Sequence, residues 1–393
     1  MNKQGYFKER IKHFSQLMEA KNVDVTIVIK PEHVMYYSGF NPIINSHPVF
    51  FVITKEAESF LLVPALRKAH AQKEAAIDDI KAYGMWGRVE SLGAIPFEVL
   101  RQLFTAKQLR IGIESTYMTV DFFNDLQTAF KSATLVSISE LIESQKIIKD
   151  AYEIELIRKA SQIVDCGTMA IIEELQAGKS EMEACTEAQY AMRMLWQQKF
   201  SAHETCGYGT ADGGMIDSLF AWCLSNERIA YGCDTAKNYY VKSGDITLPM
   251  TWAKLDGYHA ENERTLLVGA VDSLKETAYT AMLEAREAVF KILQPKVSCG
   301  QLYDVAAHCF SEAGFGHILP GRIGHGIGAS AHEHLSLNRG NEDILKPGMV
   351  ISIEPGLMDP SWGGVRHSDT VLITETGYEV LTKSPAGELR LTI

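Results

Sequence analysis

The sequence predicts an α/β N-terminal domain over residues 1–149 and an α+β C-terminal domain with antiparallel sheets over 150–393. Three observations carry this expectation. The chain has 393 residues, 46% of them apolar, which suits two packed cores. Helix-period and strand-period stretches alternate through about the first 145 residues. Beyond them strand-like runs dominate, and glycines gather at Gly321, Gly324, Gly326 and Gly328.

The elements follow in order. Phe7, Ile11, Phe14, Leu17 and Met18 recur at helical spacing, so an amphipathic helix opens the chain. Val23 to Ile29 reads as a strand, and Val49–Thr54 with Ser59–Leu62 as a hairpin pair. Ile80–Tyr83 and Leu109–Ile113 are further short strands. Helical stretches lie near 64–77, 96–106, 118–130 and 138–146. A long helix starts near Ala151, striped with Ile154, Leu156, Ile157, Ala160, Ile163 and Val164. A second helix runs from Ser180 to about Gln198. Strands are expected at 246–252, 258–268, 349–353 and 364–373, with helices near 272–293 and 300–313 between them.

Composition narrows the function classes. A net charge of −11 argues against nucleic acid, which selects basic surfaces. No run approaches the ~18 apolar residues of a membrane span, and no unbroken apolar stretch near the N-terminus reads as a secretory signal. The seven cysteines (Cys166, Cys185, Cys206, Cys223, Cys233, Cys299 and Cys309) are odd in number and form no CxxC pair. That pattern is neither a disulfide framework nor a zinc knuckle, and a cytoplasmic location is expected.

Four segments of the second domain concentrate polar residues. They are Gly244–Trp252, Asp256–Thr265, Gly324–Glu333, and Pro347–Gly356 continued by Gly363–Thr370. Glu261 and Glu263 are two apart on a strand and share one face. Glu354 ends the apolar run Met349–Ile353, and a carboxylate placed there needs a cation, a proton or a hydrogen-bond donor. His325 is flanked by glycines, and with His332 is a candidate proton carrier. Cys233 is either a nucleophile or a small buried hydrophobe.

Taken in order, these segments resemble the pita-bread family of aminopeptidase P, prolidase, methionine aminopeptidase and creatinase. Residues 147–160 resemble the family's leading helix, and Tyr36-Tyr37-Ser38-Gly39-Phe40 resembles a piece of its N-terminal domain. The resemblance implies curved antiparallel sheets in the second domain. The family's metallopeptidases hold two divalent ions on two Asp, one His and two Glu. The matching positions here are Met250, Glu261, His325, Glu354 and Ser368, so two carboxylates are replaced. Metal-free creatinase keeps a His and two Glu, matched by His325, Glu354 and Glu263. Its other histidine aligns with Cys233 and its carboxylate-holding arginine with His47.

The leading expectation is therefore a metal-independent, creatinase-like hydrolase of a C–N bond in a small cationic guanidino, amidino or amide-type compound. No cofactor and no metal are expected. The catalytic candidates are His325, Glu354, Glu263, Cys233 and His332; the substrate-binding candidates are Glu261, His47 and Arg366. The resemblance also implies a homodimer. One alternative is a Xaa-Pro dipeptidase- or aminopeptidase-like metallohydrolase whose reduced site holds one ion on Glu261, His325 and Glu354. The other is a catalytically inactive binding protein on the same fold.

Overall fold

The computed structural model describes residues 2–43, 46–104, 108–207, 218–232 and 234–392. The chain divides into two compact units. One comprises residues 2–146 with Cys206 and Gly207, the other residues 147–205 and the described residues from 218 onward.

The first unit opens with helix α1 (Lys3–Ala20), which buries Phe7, Ile11, Phe14 and Met18 on one side. Strand β1 (Val25–Val28) leads to helix α2 (Pro31–Ser38). Proline at the first helical turn and Gly39 in the left-handed conformation, φ 69°, bound this short helix. Then come β2 (Phe50–Thr54), β3 (Ser59–Pro64), α3 (Lys68–Glu74), β4 (Ile80–Tyr83), α4 (Pro96–Leu103), β5 (Arg110–Ile113), α5 (Val120–Ala129), β6 (Thr134–Ser137) and α6 (Ser139–Lys146). The strands form one sheet in the order β4-β3-β2-β1-β5-β6. The β2–β3 hairpin and the β1–β2 pair are antiparallel and the other pairs parallel.

The second unit starts with α7 (Ala151–Gln176), whose N-terminus is closed by an Asp150–Glu153 capping box. It continues through α8 (Glu181–Lys199), β7 (Leu219–Ser225), β8 (Ile246–Leu255), β9 (Tyr258–Arg264), β10 (Leu266–Val268), α9 (Ser273–Ile292) and α10 (Cys299–Glu312). The C-terminal strands are β11 (His325–Gly326), β12 (Glu333–Ser336), β13 (Val350–Ile353), β14 (Gly356–Asp359), β15 (Gly363–Ile373), β16 (Tyr378–Val380) and β17 (Arg390–Leu391). The sheet runs β12-β11-β13-β15-β9-β8-β10-β17, with β7, β14 and β16 joined at its sides. All of its pairs are antiparallel except β10–β17. The core beneath it packs Tyr279, Met282, Phe310 and Val289 of α9 and α10 against Ile351, Ile353 and Val371.

Register decides what this sheet can present. Met250 on β8, Glu263 on β9 and Ser368 on β15 lie opposite one another in a single cross-strand row. Trp252 faces Glu261 in the next row, and Thr370 faces Ser352 on β13. Directly opposed residues of antiparallel strands share a face. Two residues beyond Ser352, Glu354 falls on that face as well, as does Arg366, two before Ser368. The reverse face carries Arg264, His367 and Asp369, where both Arg264 and Arg286 bond the Asp369 carboxylate.

Candidate metal centre

One face of the second unit's sheet lines a cavity of about 840 Å³. Its polar lining includes Glu261, Glu263, His325, His332, Glu354 and Arg366, and Arg322 lies 3.8 Å from Glu354 Oε1. Phe220, Trp222, Trp252 and Met358 form an apolar wall. The rings of Phe220 and Trp222 stack at 5.9 Å, and Trp252 meets Trp222 edge-on at 5.2 Å.

His325 is buried, and its backbone is set close to β13 by Gly324 at φ 157°. A Cβ on Gly324 would collide with the Ser352 carbonyl, so only glycine permits this approach. The His325 amide donates to Ser352 Oγ at 3.0 Å. His325 Nδ1 lies 2.9 Å from the Gly326 carbonyl, which requires its proton on Nδ1. The Nε2 lone pair then faces Glu261 Oε1 and Glu354 Oε1, each 3.6 Å away. Burial lowers the His325 pKa, although Glu354 pulls the other way. Burial and the neighbouring His325 push His332 down to about 4. Its ring lies 4.4 Å from that of His325. Both imidazoles are thus neutral near pH 7.

Glu261 is held by donors on both oxygens. Ser368 Oγ donates to Oε1 at 2.8 Å and Trp252 Nε1 to Oε2 at 3.0 Å. Burial still raises its pKa against these bonds. Burial also raises Glu354, with Arg366 pulling down and Glu261 pushing up. Glu263 belongs to Arg366. The guanidinium grips it in a fork, Nη2 to Oε1 at 2.7 Å and Nε to Oε2. Arg366 also lies 3.9 Å from Glu354 Oε2 and from Met250 Sδ. Burial pushes Glu263 up to about 7, Arg366 pulling it down while Glu354 and Glu261 push it further up. Burial alone would disfavour the Arg366 charge, but Glu263 and Glu354 hold the proton firmly on.

The structure thus brings six of the expected site residues together: His325, Glu354, Glu263, His332, Glu261 and Arg366. His47 is exposed in the first unit, with Nδ1 3.1 Å from Ser46 Oγ. Cys233 lies outside the described residues. His203 is tied to Asp256 at 2.8 Å. Sequence reasoning missed Trp252 and Ser368 as donors to Glu261, and it missed the fork between Arg366 and Glu263. Cross-strand register carries all three, and a single strand's pattern does not contain it.

The donor set tests which metal content fits. One nitrogen and carboxylate oxygens of Glu261, His325 and Glu354 all lie within 4.8 Å of one another. That is three protein ligands with room for others, a workable one-ion centre. Two ions do not fit. Met250 and Ser368 bring no carboxylate to the row, and Glu263 is occupied by Arg366.

A sheet of this topology, gathering one imidazole and three carboxylates on one face of a cavity, defines a pita-bread hydrolase. The chain belongs to metallopeptidase family M24, whose model matches residues 155–375, while residues 10–148 match the creatinase/prolidase N-terminal domain. It is 30% identical over 381 residues to a Xaa-Pro dipeptidase of Pyrococcus furiosus, covering 96% of this chain and 98% of that one. It is 27% identical over 379 residues to a putative dipeptidase of Bacillus subtilis, covering 96% and 98%. The crystal structure of the prolidase from Pyrococcus horikoshii superposes with a TM-score of 0.80 at 27% identity, over 96% of this chain and 99% of that one. Among the described residues, no helix is long and apolar enough to cross a membrane.

These findings correct the leading expectation. The matches are to a metallopeptidase family and to dipeptidases, so a metal-independent, creatinase-like hydrolase of a cationic compound is set aside. The physical error is identifiable. The expectation left Glu261, Glu263 and Glu354 without a counter-charge, yet Arg366 already supplies the organic cation.

Proposed function

We propose that the chain is a one-metal peptidase acting on small peptides, with Glu261, His325 and Glu354 as ligands. The convergence of the His325 Nε2 lone pair with two carboxylates carries this reading. Three lone-pair donors facing one another repel unless a cation or a proton lies among them, and a divalent cation satisfies all three at once. Charge is compatible: the carboxylates Glu261, Glu263 and Glu354 outnumber the guanidiniums Arg366 and Arg322, the latter 3.8 Å from Glu354, so the group still favours a cation. The Nδ1 bond to Gly326 orients the imidazole as outer partners of metal-bound histidines do. Ser368 and Trp252 fix the Glu261 carboxylate in the same sense.

A divalent ion at this site would polarise a scissile carbonyl and make a bound water more acidic. The chain's own residues would do the rest. His332, neutral beside His325, can exchange a hydrogen bond with a substrate amide. Arg366 holds Glu263 still, so the cavity floor is set before substrate arrives. The wall of Phe220, Trp222 and Trp252 offers a compact apolar side chain or ring a dry surface. The relatives' names support Xaa-Pro dipeptides as the first substrates to try. The family resemblance also implies a homodimer, which light scattering on the purified protein checks.

The test is to load purified protein with Mn²⁺ and measure cleavage of a panel of Xaa-Pro dipeptides, with His325→Ala as control. Mn²⁺-dependent hydrolysis lost in the variant supports the reading. A folded protein that takes up one ion but cleaves no small peptide would point instead to a binding role for the cavity.

A further inference from the structure

Arg366 is the most heavily committed charge in the cavity. Its fork closes on both oxygens of Glu263, which lies in the middle of the row Met250–Glu263–Ser368. It stands 3.9 Å from Glu354, one of the three convergent donors, and 3.9 Å from Met250 Sδ. The two residues flanking Glu263 in the row are a thioether and a hydroxyl. The thioether is a weak partner for a hard divalent ion, and the hydroxyl is spent on Glu261.

We infer that Arg366 is a resident cation built into the site: it takes the place of a second metal ion, denies Glu263 to metal, and limits the cavity to one divalent ion. This rests on the one-metal reading above and adds a residue that sets stoichiometry and affinity. A planar guanidinium matches a carboxylate in two parallel bonds, as an ammonium does not. Its charge also acts on the neighbouring ion site through Glu354. Like charges a few ångströms apart in a part-buried site repel strongly, so Arg366 weakens the ion that binds beside it.

The experiment is calorimetric titration with MnCl₂, backed by elemental analysis after gel filtration. It compares wild type, Arg366→Lys, Arg366→Gln and the double variant Met250→Asp/Arg366→Met. The wild type is expected to bind one Mn²⁺. Arg366→Lys, which keeps the charge, should also bind one, with affinity near that of the wild type. Arg366→Gln should bind Mn²⁺ at least about tenfold more tightly. A merely structural arginine predicts the reverse, because its loss would loosen Glu354 and weaken binding. The double variant frees Glu263 and sets a carboxylate opposite it, so it should take two ions. If it does not fold, the Arg366→Gln affinity decides alone.

Two Mn²⁺ per wild-type chain would overturn the inference. So would one ion held no more tightly in Arg366→Gln, an outcome that leaves the one-metal reading standing. No ion in the wild type but one in Arg366→Gln would support Arg366 as resident cation and overturn the metallopeptidase reading. No ion in any variant would overturn both.

Discussion

His367 offers a pH test whose size follows from geometry. It sits between Arg366 and Ser368 but points to the reverse face of the sheet, fully buried. Its Nδ1 lies 3.2 Å from the Thr265 amide and 3.1 Å from the Arg366 carbonyl. Its Nε2 has no hydrogen-bond partner among the described residues. A second proton would put a charge in a dry core near Arg264 and Arg286, which the Arg366 carbonyl and Asp369 offset only in part. Burial first, and then Arg264, push its pKa from 6.5 down to about 3. In the unfolded chain the imidazole regains its ordinary affinity, so below pH 6.5 the unfolded state binds more protons than the folded one. Stability is therefore fully present above about 6.5 and is lost as pH falls toward the folded value. At pH 5 the loss from this one group is about 2 kcal/mol. Replacing His367 by Asn keeps an acceptor for Thr265 and removes the titration. Urea unfolding of wild type and His367→Asn from pH 7.5 to 5 measures the difference. The wild type should lose about 2 kcal/mol more than the variant across that range. Parallel stability curves would refute the argument, as would an imidazole that titrates near pH 6.5 in the folded protein by NMR.

Three further outcomes are expected. His325→Ala should keep the far-UV spectrum and melting temperature within a few degrees, yet lose Mn²⁺ binding and at least about 10²-fold in turnover; unchanged Mn²⁺ affinity would remove it from the centre. Gly324→Ala should destabilise the second unit by roughly 3 kcal/mol or more, read as a lower melting temperature, because its Cβ has only the Ser352 carbonyl to enter. Lys149→Met should cost about 3–5 kcal/mol by removing the buried ammonium that bonds Glu333 at 2.7 Å, and Lys149→Met/Glu333→Leu should recover most of that in the same denaturation assay.

Much of the fold was legible because period and punctuation are local. The stripe of α7 and the Val49–Thr54 and Ser59–Leu62 pair can be read without any tertiary information. Helix α2 was overlooked, although Pro31 and Gly39 bracket it as start and stop signals; at eight residues it is too short to show a period. Strands β6 and β7 were also overlooked. β6 is four residues long, and Leu219–Ser225 is apolar nearly throughout, which by itself does not separate strand from buried helix. The candidate site was legible where residues sit two apart, as Glu261 and Glu263 do. It was illegible where chemistry crosses strands. Ser368 and Arg366 lie more than a hundred residues from the carboxylates they bond. Counting Glu261, Glu263 and Glu354 without the cation on β15 left out a counter-charge that the chain itself supplies.

A guanidinium on the polypeptide differs from a bound ion in one practical respect: it cannot be diluted, chelated or exchanged. A centre that needs two ions empties with the square of free metal when metal is scarce. A centre in which Arg366 supplies one of the two positive partners empties only in direct proportion. At equal affinity per ion such a chain keeps its occupancy further into starvation, with the repulsion from Arg366 working against that gain. It also gives a simple hyperbolic dose curve where a two-ion centre gives a steep one. The cost falls on ceiling rather than threshold, since a fixed guanidinium can neutralise charge but cannot carry a water to the substrate.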